Sequence, residues 1–118
     1  VVYNAERRVG VDVEQIRPRI ENVTDRFLSP DEQSTIVPEL RLEHLTCMWA
    51  AKEALFKLWG RPEVDFREHL HISSFRPVPV QPVAAVVNHK GETGHFELDF
   101  DRIGDYILVW VTEKLRTS

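Results

Sequence analysis

The clearest periodic stretch is Arg8-Val-Gly-Val-Asp-Val-Glu-Gln-Ile16. Val9, Val11 and Val13 alternate with Gly10, Asp12 and Glu14, the period-2 signature of a strand. The expectation puts the valines on the core and the two carboxylates on a wet face. A second pattern has helical spacing. Leu45, Met48, Leu55 and Trp59 share one side, and Trp49 and Phe56 lie on another. A helix apolar around most of its circumference is normally buried, yet this one carries Lys52, Glu53 and Lys57. It is expected over residues 39–59, with Gly60-Arg-Pro62 as its stop. Before it, Ser29-Pro-Asp-Glu32 reads as a helix start, with Ser29 as N-cap, Pro30 at the first helical position and Glu32 closing a capping box. Pro38 ends that helix. Ile20, Val23 and Phe27 predict a further short helix over 20–28.

The remaining stretches complete a simple order. Residues 1–3 are strand-like and 4–8 form a polar turn. Residues 64–70 are a loop or a single turn, and 71–76 a strand. Pro77, Pro79 and Pro82 make an extended connection. Residues 83–87 are a buried strand and 88–91 a hairpin turn. Phe96, Leu98 and Phe100 alternate with Glu97, Asp99 and Asp101, so that strand has one wet face. After a turn over 101–105, Tyr106-Ile-Leu-Val-Trp-Val111 is apolar on both faces, as a central strand should be. Strand, helices, then a meander of strands predict an α+β fold: a long central helix and short helices packed on an antiparallel sheet, in one domain over 1–118.

Composition narrows the classes. A net charge of −4 argues against a general nucleic-acid binder. A single cysteine, Cys47, excludes an internal disulfide, fits a reducing compartment such as the cytoplasm, and reads as a buried thiol. No apolar run is long enough to be a membrane helix, and no signal-peptide pattern is present.

The chemistry sits in the charged residues of the two periodic stretches. Asp12 and Glu14 lie on the same strand face, about 7 Å apart along it. Glu53 and Lys57 lie four apart on the long helix, neighbours on one stripe. A solvated strand face and a plain surface ion pair account for these spacings equally well. If the helix packs near the end of the strand, the three carboxylates converge with Lys57 one turn further along. All-oxygen ligation suits Mg²⁺, and Lys57 and Lys52 would meet phosphate oxygens. That predicts metal-assisted transfer at a phosphate ester or anhydride. His69 and His71 have no further ligand at metal spacing and read as structural or solvated. Arg7, Arg8, Arg17, Arg19 and Arg26 crowd the first quarter of an acidic chain, as a solvated surface or as a docking patch for an acidic partner.

Three segments resemble one family. Val9-Gly-Val-Asp-Val-Glu14, Phe27-Leu-Ser-Pro-Asp-Glu32 and Trp49-Ala-Ala-Lys-Glu-Ala-Leu-Phe-Lys57 are similar, in order and spacing, to the motifs of the 4′-phosphopantetheinyl transferases. Glu14 and Trp49 follow the larger, surfactin-synthetase-activating type. The resemblance implies Mg-dependent transfer of phosphopantetheine from coenzyme A to a serine of an acyl or peptidyl carrier protein, with 3′,5′-ADP leaving, in fatty-acid, polyketide or nonribosomal peptide synthesis. It implies Asp12, Glu14 and Glu53 as metal ligands and Glu53 as candidate base. Lys57 and Lys52 would face the coenzyme A phosphates, and Arg17, Arg19 and Arg26 the carrier. The larger members have two similar lobes, the first supplying basic residues and a Ser-His motif that grip the nucleotide. The chain is therefore expected to be a C-terminal lobe, or to self-associate into a homo-oligomer that rebuilds the cleft. Two other readings stand beside transfer: a non-catalytic lobe that binds a carrier or a partner subunit, and an unrelated Mg²⁺ phosphohydrolase, for which no motif is present.

Overall fold

The computed structural model describes residues 2–3, 8–78 and 81–114, the first two by backbone alone. Its elements in order are β1 (Val2–Tyr3), β2 (Arg8–Gln15), a 3-10 helix (Pro18–Val23), α1 (Thr24–Phe27), α2 (Pro30–Ser34), a 3-10 helix (Pro38–Leu40), α3 (Arg41–Trp59), β3 (Leu70–Ile72), β4 (Val83–His89), β5 (Glu92–Ile103) and β6 (Tyr106–Glu113). The strands form one antiparallel sheet in the order β1-β2-β6-β5-β4-β3. The α+β reading therefore holds.

The helix α3 crosses one face of this sheet. Leu45, Met48 and Leu55 are buried in the core with Phe96, Leu98, Ile107, Val109 and Val111 from the strands. Against β2 the contact is made by small residues. Ala54 Oxygen and Leu58 Cβ stand only 3.3 and 3.4 Å from where a Cβ on Gly10 would lie. The absent side chain is what lets strand and helix come this close. The other side of α3 is closed by aromatic rings. Trp49 packs edge-on against Phe27 with ring centres 5.3 Å apart, and Phe66 lies over both Trp49 and Phe56. The predicted stop is in place: Gly60 is left-handed at φ 77° and its N–H bonds Phe56 O.

Four expectations change. The first is the orientation of β2. Val11 and Val13 are 52% and 54% exposed, while Gly10 and Asp12 are buried toward α3. Alternation reveals which residues share a face but not which face meets the core. Second, the single helix over 20–28 is split into a 3-10 helix and the one-turn α1. The Thr24 hydroxyl bonds back to Ile20 O and Glu21 O at the junction. Third, the strand over 71–76 is only Leu70–Ile72, because the chain leaves the sheet after Ser73 N bonds Ala84 O. Fourth, the turn expected over 101–105 is shorter because β5 runs on to Ile103; β6 is central as expected, with Tyr106 and Trp110 exposed on its outer face. Val1, the turn residues 4–7 with Arg7, and Pro79 lie outside the described residues.

Candidate functional site

Asp12 and Glu14 project from β2 toward α3, opposite Val109 and Ile107 of β6. Because α3 passes so close at Gly10, its next polar stripe meets them. Lys57 Nζ donates to Asp12 Oδ1 at 2.7 Å. Lys57 itself remains half-exposed, whereas the Asp12 side chain is almost fully enclosed. The other carboxylate oxygen, Asp12 Oδ2, is buried without a hydrogen-bond partner.

The titration behaviour shows how tightly these groups interact. Glu14 is pushed up to about 7, chiefly by burial, then by the neighbouring Asp12 carboxyl and by the charge of Glu53. The nearby Trp49 indole opposes this. Glu53 is raised by burial and by Asp12, with Lys57 pulling it back. Lys57 is raised, first by its bond to Asp12, then by all three carboxylates. Of the four residues expected to share one locus, Lys57 and Asp12 are in direct contact, while Glu14 and Glu53 are near enough to influence their titration.

Lys52 is placed elsewhere. It has no exposed surface, and its ammonium donates to Glu32 Oε1 at 2.9 Å, to Phe66 O at 2.8 Å and to Leu70 O. An ammonium has three donors, and all three are used inside the fold. Lys52 is thus corrected from a phosphate contact to an internal anchor. One residue along a helix is a turn of about 100°, so Lys52 and Glu53 face different neighbours.

Do these residues suit a divalent cation? The donor chemistry does: carboxylate oxygens only, with an orphaned buried oxygen on Asp12 that a hard cation would satisfy. As the side chains stand, no three His, Cys, Asp or Glu among the described residues converge into a metal-holding group. The Lys57 ammonium provides the positive charge among them. His69 and His71 do not form a metal pair: His69 Nδ1 accepts from Asp65 N at 2.8 Å and its ring lies against His89, while His71 is exposed.

Beside Glu14 opens a cavity of about 510 Å³, lined by Glu14, Arg17, Arg19, Ile20, Val23 and Trp49 among others. Arg17, Arg19 and Arg26 are all exposed, but only the first two reach this cavity. Sequence reasoning missed Trp49 as a neighbour of Glu14 and missed the apolar walls Ile20 and Val23. The signal available was their helical spacing, which reads as core packing.

The chain matches the 4′-phosphopantetheinyl transferase superfamily over residues 8–111. Among solved structures it is similar to the ACPS–CoA complex of Chronobacterium ammoniagenes, at 25% identity and a TM-score of 0.68, covering 94% of this chain and 98% of that one. It is also similar to apo-ACPS from the same source, at 25% identity, a TM-score of 0.66 and the same coverage. No curated protein sequence matches it.

Proposed function

Since the chain belongs to the 4′-phosphopantetheinyl transferase superfamily, we propose that it moves phosphopantetheine from coenzyme A to a serine hydroxyl of an acyl or peptidyl carrier protein. The observation that carries this reading is the Lys57–Asp12 ion pair where α3 lies against β2, with Glu14 and Glu53 close enough that Glu53 raises the titration of Glu14 and both raise that of Lys57. The similar ACPS structure bound to CoA supports coenzyme A as the donor.

The residues divide the work. Asp12, Glu14 and Glu53 would hold Mg²⁺, which when bound neutralises pyrophosphate charge. Lys57 is half-exposed and turns its ammonium to a phosphate oxygen once substrate arrives. Glu53, its acidity weakened by burial and by Asp12, accepts the proton of the carrier serine, directly or through one water. The serine oxygen then forms a bond to the phosphorus that bears the pantetheine arm. The pyrophosphate bridge breaks, and 3′,5′-ADP departs with the bridging oxygen. Arg17, Arg19 and Arg26 form the docking surface for an acidic carrier in the cytoplasm.

A second copy of the chain would pack on the outer sheet face, where Val11, Val13, Tyr106 and Trp110 leave apolar surface exposed, and would add groups for the nucleotide end of coenzyme A.

Incubation with coenzyme A, Mg²⁺ and an apo carrier protein tests the proposal. The carrier should gain the mass of one phosphopantetheine, and a carrier whose acceptor serine is alanine should gain none. Carrier binding without any mass gain would favour the alternative, a lobe that binds but does not transfer. Phosphate release from nucleotides without a carrier would favour a hydrolase.

A further inference from the structure

The seam between β2 and α3 is lined mainly by small groups, with the Lys57–Asp12 bond at its rim as a directional contact. Ala50, Ala51 and Ala54 are fully buried along α3, and Gly10 faces the helix with no side chain. Burial of such small groups is favourable but non-directional. Yet the site demands a definite setting. A turn of α3 by roughly 10° moves a carboxylate at the helix rim, about 5–6 Å from the axis, by ~1 Å. Magnesium tolerates far less, since it requires near-ideal octahedral geometry at short distances.

A buried set of directional contacts lies on another side of α3. Lys52 Nζ is held by Glu32 Oε1, Phe66 O and Leu70 O, three acceptors from three different segments. Glu32 is fixed in turn. Its Oε1 accepts from Ser29 N at 3.1 Å and its Oε2 from Ile72 N at 3.0 Å. The pair is enclosed, with side-chain exposures of 0% for Lys52 and 8% for Glu32. One ion pair thus ties α3 to the start of α2, to the 61–69 loop and to β3. Hydrogen bonds to charged groups are short and angle-dependent, so this anchor resists both rotation and sliding of α3.

We propose that the Lys52–Glu32 pair is a positioning element for Glu53, setting the rotation of α3 and with it how Glu53 is presented toward Asp12 and Glu14. This rests on the transferase reading above, and in particular on joint metal binding by the three carboxylates. A pair present only for stability would leave metal binding untouched in any variant that still folds.

Two variants of the full chain test it. Glu32→Gln keeps the side-chain length and an acceptor while removing the charge. The double variant Lys52→Met/Glu32→Leu removes both charges together, which avoids stranding one of them. Metal binding is read without substrate, by loss of the free Mn²⁺ resonance signal. It is read again as the Mg²⁺ concentration giving half-maximal coenzyme A binding. We expect both variants to need ~10-fold or more additional metal, the scale of second-sphere effects, with coenzyme A affinity at saturating Mg²⁺ close to the parent's. Lower melting temperatures with unchanged metal dependence would overturn the proposal and leave the pair a stabilising contact. A parent chain that binds neither ion nor coenzyme A would instead overturn the transferase reading, and the positioning role with it.

Discussion

Glu14 differs from an ordinary glutamate because burial and Asp12 hold its proton to about pH 7. The linkage has a definite sign. A carboxyl raised in the folded state stabilises the fold fully below its unfolded value of 4.5, and that contribution is lost as pH rises through about 7. His44 acts oppositely: burial and Arg76 lower it to about 4, so its contribution is present above 6.5 and lost as pH falls toward 4. Comparing the parent with Glu14→Gln isolates the first effect. With EDTA present, the parent should lose stability relative to the variant between about pH 4.5 and 7, then level off. Urea midpoints at several pH values measure this. Parallel curves would mean that Glu14 titrates normally. Metal binding should release protons over the same window. Asp12→Ala or Glu53→Gln should lower transfer by at least about 100-fold with the fold intact, more than the 10–100-fold typical of second-sphere changes. Near-normal turnover in either variant would contradict the assignment.

At the level of elements, the close approach of β2 and α3 places the site residues. A methyl group on Gly10 would press on the Ala54 carbonyl and Leu58 Cβ, neither of which can rotate away. Gly10→Ala should therefore cost ~1–3 kcal/mol, the usual penalty of overpacking, seen as a lower denaturation midpoint. Trp49→Ala should cost about 3 kcal/mol by opening a cavity between Phe27 and Phe66. An unchanged midpoint would show that these rings do not seal the helix. Most elements were legible in the sequence because their causes are local. Ser29-Pro30 with Glu32 forms the expected capping box, and Gly60 ends α3. What was not legible depends on tertiary placement. Val11 and Val13 look like core residues until the helix is seen on the other face. Glu32 looks like a simple cap until Lys52 is found beneath it, and Lys52 looks like a phosphate contact for the same reason.

For the molecule as a whole, the outer sheet face is the unfinished side. Val11, Val13, Ile103, Tyr106 and Trp110 stand exposed there, away from the core that α3 closes. Among the described residues no helix is long and apolar enough to cross a membrane. If a second copy covers this face, sedimentation should show self-association, and Val13→Asp should shift the chain toward monomer while weakening coenzyme A binding. A monomeric parent with full coenzyme A affinity would contradict that. The four polar residues of the proposed site are suggested by motif spacing, whereas this surface could be recognised only once the strand's orientation was known. The central claim remains that three carboxylates and one lysine act together on coenzyme A. Calorimetric titration of coenzyme A into the chain, first with Mg²⁺ and then with EDTA, tests it most directly. Binding that requires Mg²⁺ is the predicted result. Equal binding in EDTA, or none in either condition, would contradict it.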